Sequence, residues 1–195
     1  AIDGNHTNAL CNKGGILSHL EKYDDAVRCF DRAIQSDECD AVVWTNKGTA
    51  LSSLEKYPEA IECYDKAIAI DTNHYGAWIG KGTALSSLEK YPDAIECYDK
   101  AIAIDSKKKS AWALKAYDLL LQEKYQDAIE CSDKALFLVG YDEMMLQIKS
   151  DSYQHQENFL KSIECVDEMI SHDENNADAW STKGGILNKL EKYDE

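Results

Sequence analysis

The sequence predicts an all-α solenoid of stacked antiparallel helix pairs. Three observations predict it. The stretch Leu51 to Asp71 returns 34 residues later as Leu85 to Asp105, changed only at Glu59 versus Asp93. The same period then runs along the chain in columns. One column is Leu10, Trp44, Trp78, Trp112, Leu146 and Trp180; another holds small residues, Gly14, Gly48, Gly82, Ala116, Ser150 and Gly184. Within a copy, the apolar residues fall at helical rather than strand spacing. A fixed period of this length marks an array in which each unit packs only on its neighbours.

Each copy reads as a helical hairpin. In the second, Trp44, Gly48, Leu51 and Leu54 form one stripe of a first helix. Ala60, Ile61, Tyr64, Ala67 and Ile68 form the stripe of a second. Pro58 and Pro92 suit the first turn of that second helix, where a missing N–H costs nothing. Glu62 with Lys66, Glu96 with Lys100 and Glu130 with Lys134 are favourable pairs four residues apart. Gly48 and Gly82 sit mid-helix, at a cost of about 1 kcal/mol each relative to Ala. That recurring cost argues for close helix crossing, with Ala60 or Ala94 expected opposite.

The units run 7–40, 41–74, 75–108, 109–142, 143–176 and 177–195, a single array of five full repeats with partial units at both ends. The fourth copy ends in Leu136, Phe137, Leu138, Val139, Gly140 and Tyr141, so some apolar residues must face outward or cover a neighbour. The fifth is the most divergent, with Leu146, Ser150, Ser162 and Val166 in key columns, and is expected to be the least stable. Ala1 to Asp3 match Ala69 to Asp71, placing the start in the last turn of a second helix. Lys192 to Glu195 should begin another second helix. Both ends therefore read as cuts through a longer array with open apolar end faces.

These columns resemble the tetratricopeptide repeat, whose W-x2-L-G-x2-Y…A-x3-F…A-x4-P pattern has this period. The second copy matches at Trp44, Gly48, Leu51, Ala60, Tyr64 and Ala67. Lysine stands where the family usually has Leu. The family's Pro after the second helix is replaced by Glu38, Thr72, Ser106, Gly140 and Glu174. The resemblance implies a right-handed superhelix whose first helices line a concave, peptide-holding surface.

Composition narrows the partner. The net charge is −15, from 21 Lys and Arg against 36 Asp and Glu. Such a chain is a poor fit to nucleic acid or an anionic membrane, and suits a basic or neutral protein. No run of about eighteen apolar residues marks a membrane span. The first residues lack the features of a signal peptide. Cys29, Cys63, Cys97, Cys131 and Cys165 form a column. Equivalent helices are too far apart for disulfides, which need Cα atoms within about 7 Å. They read as reduced packing residues, consistent with a cytoplasmic setting. No Gly-rich phosphate loop, nucleophile motif or metal-ligand spacing is present, so neither an enzyme nor a cofactor is expected.

Three features bear on binding. Lys13, Lys47, Lys81, Lys115, Lys149 and Lys183 form a column, preceded by Asp3, Asp37, Asp71, Asp105 and Asp173. Inter-helix pairs such as Asp37 with Lys47 and Asp71 with Lys81 are expected, rather than a ladder for an anionic ligand. Lys107, Lys108 and Lys109 form the one basic cluster and read as a solvated turn. The resemblance places Asn12, Thr45, Asn46, Thr49 and Thr83 on the groove of the early copies. It also places Leu114, Tyr117 and Leu121 on an apolar stretch of the fourth. A non-catalytic scaffold holding a peptide or protein segment is the leading expectation. The alternatives are end-to-end self-association and the substrate-holding part of a larger enzyme.

Overall fold

The small and aromatic columns do fold into hairpins. The computed structural model describes residues 4–36 and 40–193. The expectations for Ala1 to Asp3, Asp37, Glu38, Asp194 and Glu195 lie outside the described residues. Among those described there are eleven α-helices and no strand. In residues 1–105 these are α1 (Gly4–His19), α2 (Tyr23–Ser36), α3 (Ala41–Ser53), α4 (Tyr57–Ile70), α5 (Tyr75–Ser87) and α6 (Tyr91–Ile104). In residues 106–195 they are α7 (Lys109–Leu121), α8 (Tyr125–Val139), α9 (Glu143–His155), α10 (Phe159–His172) and α11 (Ala177–Tyr193). The two regions form separate compact units.

In the first unit, each helix packs on the next along the chain, and the first helices of successive hairpins also touch, α1 on α3 and α3 on α5. In the second unit the same holds for α7 on α9. The first helices therefore form one layer of each unit and the second helices the other.

The close crossing predicted at the glycines is real, but its partner is an aromatic ring rather than an alanine. A Cβ on Gly48 would lie 2.8 Å from the Tyr64 ring, and one on Gly82 would lie 2.5 Å from Tyr98. Gly14 meets Phe30 in the same way at 2.6 Å. Tyr64 is gripped from a second side, since a Cβ on Gly80 would stand 2.4 Å from it. The ring of one hairpin thus slots between a glycine of its own first helix and a glycine of the next hairpin. Ala60 and Ala67 are fully buried in the same cluster, so the contact is close-packed.

Three devices hold the turns. Within hairpins, Glu55 takes φ 59° and closes α3: its N–H donates to the Ser52 carbonyl at 2.9 Å, and Lys56 N–H to Leu51 at 3.0 Å. This is a left-handed helix cap of the kind glycine usually supplies. Glu21, Glu89, Glu123 and Glu157 repeat it, each with φ between 57° and 58° or at 59°. Between hairpins, the missing proline is replaced by an indole clamp. Trp78 Nε1 donates to the Thr72 carbonyl at 2.9 Å, and Trp180 Nε1 to Glu174 at 2.9 Å. Trp112 holds Ser106 in the same way at 3.0 Å. The turn after the fourth copy has no tryptophan to do this, because Leu146 occupies the position in the fifth; there Gly140 ends α8 with φ 81°.

The lysine column is structural, with a corrected partner. Lys47 binds Asp31, Lys81 binds Asp65, Lys149 binds Asp133 and Lys183 binds Asp167, each at 2.6 Å. The expected Asp71 is otherwise engaged: its Oδ1 accepts the N–H of Asn73 at 2.9 Å and so shapes the inter-hairpin turn. The carboxylate that meets Lys81 belongs instead to the body of the preceding second helix. The Lys47 Nζ lies over the Trp44 ring, 5.5 Å from its centroid, which places the ammonium at the helix interface. Lys109 also departs from the solvated reading, since it opens α7 and pairs with Asp142. The apolar end of the fourth copy divides as expected: Phe137 is 88 % exposed, while Leu136 and Tyr141 pack on the core of α9 to α11.

Candidate peptide-binding face

The first-helix layer of the first unit is quieter than the pattern implies. Thr45 is not on the open side. It is buried, with its hydroxyl donating to the Ala41 carbonyl at 2.8 Å. Thr49 and Thr83 are exposed, but each donates back to its own helix, to Thr45 and Ile79 at 3.0 Å. Ser53 and Ser87 do the same. Thr49 also receives the Tyr64 hydroxyl at 3.4 Å. Asn46 is half-buried and Asn12 exposed. Hydroxyls already donating to helix carbonyls offer a ligand little beyond weak acceptors.

The second unit differs. On α7, Leu114 is half-buried, while Tyr117 and Leu121 are 47 % and 43 % exposed. These three lie three and four residues apart and share one helix face. Leu121 and Leu120 form the apolar wall of a cleft of about 400 Å³. The opposite wall is α9, with Asp151, Gln154 and His155, and α11 contributes Lys189. Tyr125 stacks on His155 with ring centroids 4.7 Å apart and planes 6° from parallel, closing one end. Lys189 Nζ donates to Gln154 Oε1 at 3.0 Å, and Gln147 Nε2 to Asp151 Oδ1 at 2.8 Å. Burial raises the Asp151 carboxyl above its ordinary pKa; the Gln147 hydrogen bond and the His155 and Lys189 charges pull it back without cancelling that effect. Beside this cleft, Glu143, Met144, Gln147, Asp178 and Thr182 line a second hollow on α9 and α11.

Leu121, expected on the groove from sequence, lines this cleft, as do Asp151, Gln154, His155 and Lys189, which the sequence reading did not single out. The signal was in the columns. Asp151 occupies the position of Gly15, Thr49, Thr83, Tyr117 and Gly185, where a half-buried carboxylate serves no purpose common to the repeats.

The outer side of the first unit carries two further clefts with one design. One is floored by Val27, Trp44 and Leu51 beside the Lys47–Asp31 pair, the other by Ile61, Trp78 and Leu85 beside Lys81–Asp65. Cys63 and Cys97 lie at their bases, and burial pushes each thiol up to about 11. A thiol held this high is mostly protonated at neutral pH and is a poor nucleophile. Among the described residues, no group of three or more His, Cys, Asp or Glu side chains is placed to hold a metal ion. No described helix is long and apolar enough to cross a membrane.

Family models of the tetratricopeptide repeat match residues 7–38, 41–74 and 75–108. The chain belongs to the tetratricopeptide repeat family. Solved structures share the fold. YrrB, described as a tetratricopeptide protein with an unusual peptide-binding site, superposes with a TM-score of 0.76 at 19 % identity over 90 % of each chain. A tetratricopeptide repeat protein of Parabacteroides merdae gives 0.82 at 15 % identity, over 96 % of this chain and 75 % of its own. PilF of Pseudomonas aeruginosa gives 0.82 at 16 % identity, over 98 % of this chain and 87 % of its own. At these identities the likeness concerns the fold alone. No curated protein matches the chain in sequence. Tetratricopeptide arrays are generally protein-interaction modules and typically non-catalytic.

Proposed function

We propose that this tetratricopeptide chain is a non-catalytic binding module that holds a peptide or protein segment against the first-helix layer, chiefly on α7 and α9. One observation carries the reading. Tyr117 and Leu121 leave nearly half their surface exposed beside a cleft of about 400 Å³, although the same face of the first unit is small and self-bonded. Leu121 lines that cleft and Tyr117 stands one turn before it on α7, exposed apolar surface of the kind that anchors partner side chains. The net charge of −15 favours a basic or neutral partner.

A library of bead-displayed random decapeptides tests this. Wild-type protein is expected to enrich a recognisable sequence. The double variant Tyr117→Ser, Leu121→Ser should lose most of that binding, whereas Phe137→Ser on α8 should keep it. Equal binding by the Tyr117, Leu121 variant would overturn the assignment.

A second reading is self-association through exposed apolar residues such as Ile16 on α1 and Leu20 in the turn after it, which are 60 % and 61 % exposed. Light scattering distinguishes it, because the apparent mass would rise with concentration and fall in an Ile16→Ser, Leu20→Ser variant.

A further inference from the structure

Asp151 is the residue of the inner layer that the repeat does not explain. The corresponding positions hold glycine, threonine or tyrosine in the other copies. It sits half-buried on the wall of the second unit's cleft. Its Oδ1 accepts a hydrogen bond from Gln147, a neutral donor, whereas a carboxylate can accept about four bonds. A carboxylate drawn partly out of water and held by an amide gains most from a cation. The two cationic groups nearest in charge are otherwise directed. Lys189 donates to the Gln154 amide oxygen, and His155 is stacked on Tyr125. Burial outweighs the favourable field of both, so the carboxylate remains under-compensated. The adjoining hollow adds Glu143 and Asp178.

We propose that Asp151 selects a lysine or arginine side chain of a bound peptide while an apolar residue of the same peptide seats on Leu121 and Tyr117. This rests on reading the α7–α9 face as the peptide site. The geometry also sets a spacing. Tyr117 and Asp151 hold the same register on adjoining helices. Packed helices run about 8–10 Å apart, and an extended chain advances about 3.3 Å per residue. The basic residue therefore lies about three positions from the apolar one. An acidic peptide would instead face Asp151, Glu143 and Asp178 together.

The test uses the decapeptide library on the whole chain, followed by fluorescence anisotropy with the best peptide. Lysine or arginine should be enriched about three positions from an apolar residue. Replacing that residue by glutamine should weaken binding about tenfold. Asp151→Asn should weaken the parent peptide equally, and the two changes combined should cost no more than either alone. Asp151→Ser should give the same loss, with circular dichroism checking that both variants fold. Enriched peptides that lack a basic residue, bind Asp151→Asn as well as wild type and still fail on Leu121→Ser would overturn this proposal and leave the peptide site standing. No enrichment, or full binding by Leu121→Ser, would remove both.

Discussion

Residues 41–105 and residues 106–176 are built on the same columns, yet they present different chemistry. In the first region the inner layer is threonine and serine bonded to their own helices, and the core sets a tyrosine ring on a glycine twice, Tyr64 on Gly48 and Tyr98 on Gly82. In the second, serine replaces glycine at Ser150 and alanine at Ser162, the two meet in the core at 2.8 Å, and the inner layer carries leucine, tyrosine, aspartate and histidine. The lesson is that near-identical copies report on packing alone, whereas departures from the repeat are either repacked inside, as Ser150 and Ser162 are, or leave chemistry on the surface that the repeat does not use. A residue that satisfies the repeat is accounted for by its neighbours within the fold. Asp151 departs from the repeat and, among the described residues, is held within the fold by Gln147 alone, which is what the proposed peptide site addresses.

The comparison is broken most forcefully at the glycines. Gly80→Leu should destabilise the first unit by about 1–3 kcal/mol, because its Cβ starts 2.4 Å from the Tyr64 ring. Gly184 has the same column as Gly48, but a Cβ there meets nothing within 4 Å. Gly184→Ala should therefore leave stability unchanged or raise it by up to about 1 kcal/mol. Urea titrations of the two variants measure this; equal destabilisation would show that ring contact is not what makes these glycines necessary.

A smaller effect is expected at the hairpin turns. Glu55 and Glu157 both hold a left-handed backbone, in the regular and the divergent region respectively. Such a conformation costs a residue with a side chain about 1–2 kcal/mol, which glycine avoids. Glu55→Gly and Glu157→Gly should each stabilise by about 0.5–1 kcal/mol after the added chain entropy of glycine is subtracted. A lowered denaturation midpoint in either would contradict the assigned cap.

Smaller still is the lysine column. Its aspartates are about half exposed, so Lys81→Met should shift stability by no more than about 1 kcal/mol, and less at high salt. A larger loss that salt does not reduce would place the Lys stem, rather than its charge, at the centre of the packing.

The smallest effect concerns pH. Burial raises the Asp151 pKa, so the folded state disfavours its ionised form, with Gln147, His155 and Lys189 only partly offsetting this. The penalty is present above the folded pKa and vanishes below the unfolded one, near 4. Asp151→Asn should thus be slightly more stable than wild type at pH 7, and the gap should close as the pH falls to about 3. A gap that widened on acidification would reverse the sign.

Much of this architecture was legible in the columns. Period, helical spacing and the small and aromatic positions identified the hairpins because each records a contact repeated in every copy. The glutamate caps were not legible, since a left-handed turn normally announces itself as glycine and here does not. The lysine partners were misread because chain distance favoured Asp71, whose carboxylate the local turn had already engaged. Thr45 was misplaced because helical spacing alone cannot separate the open face from the neighbouring buried one; its burial puts it on the latter. Asp151 and His155 are plain in the sequence, but only the approach of α7, α9 and α11 turns them into one cleft.

Chemical-shift mapping with the selected peptide tests the central claim most directly. Amide and side-chain signals of Tyr117, Leu121, Asp151 and His155 should move on titration, while those of Thr49, Thr83 and Ser87 stay in place. Shifts centred instead on the outer clefts at Trp44 and Trp78, or on α8 and α10, would contradict the account.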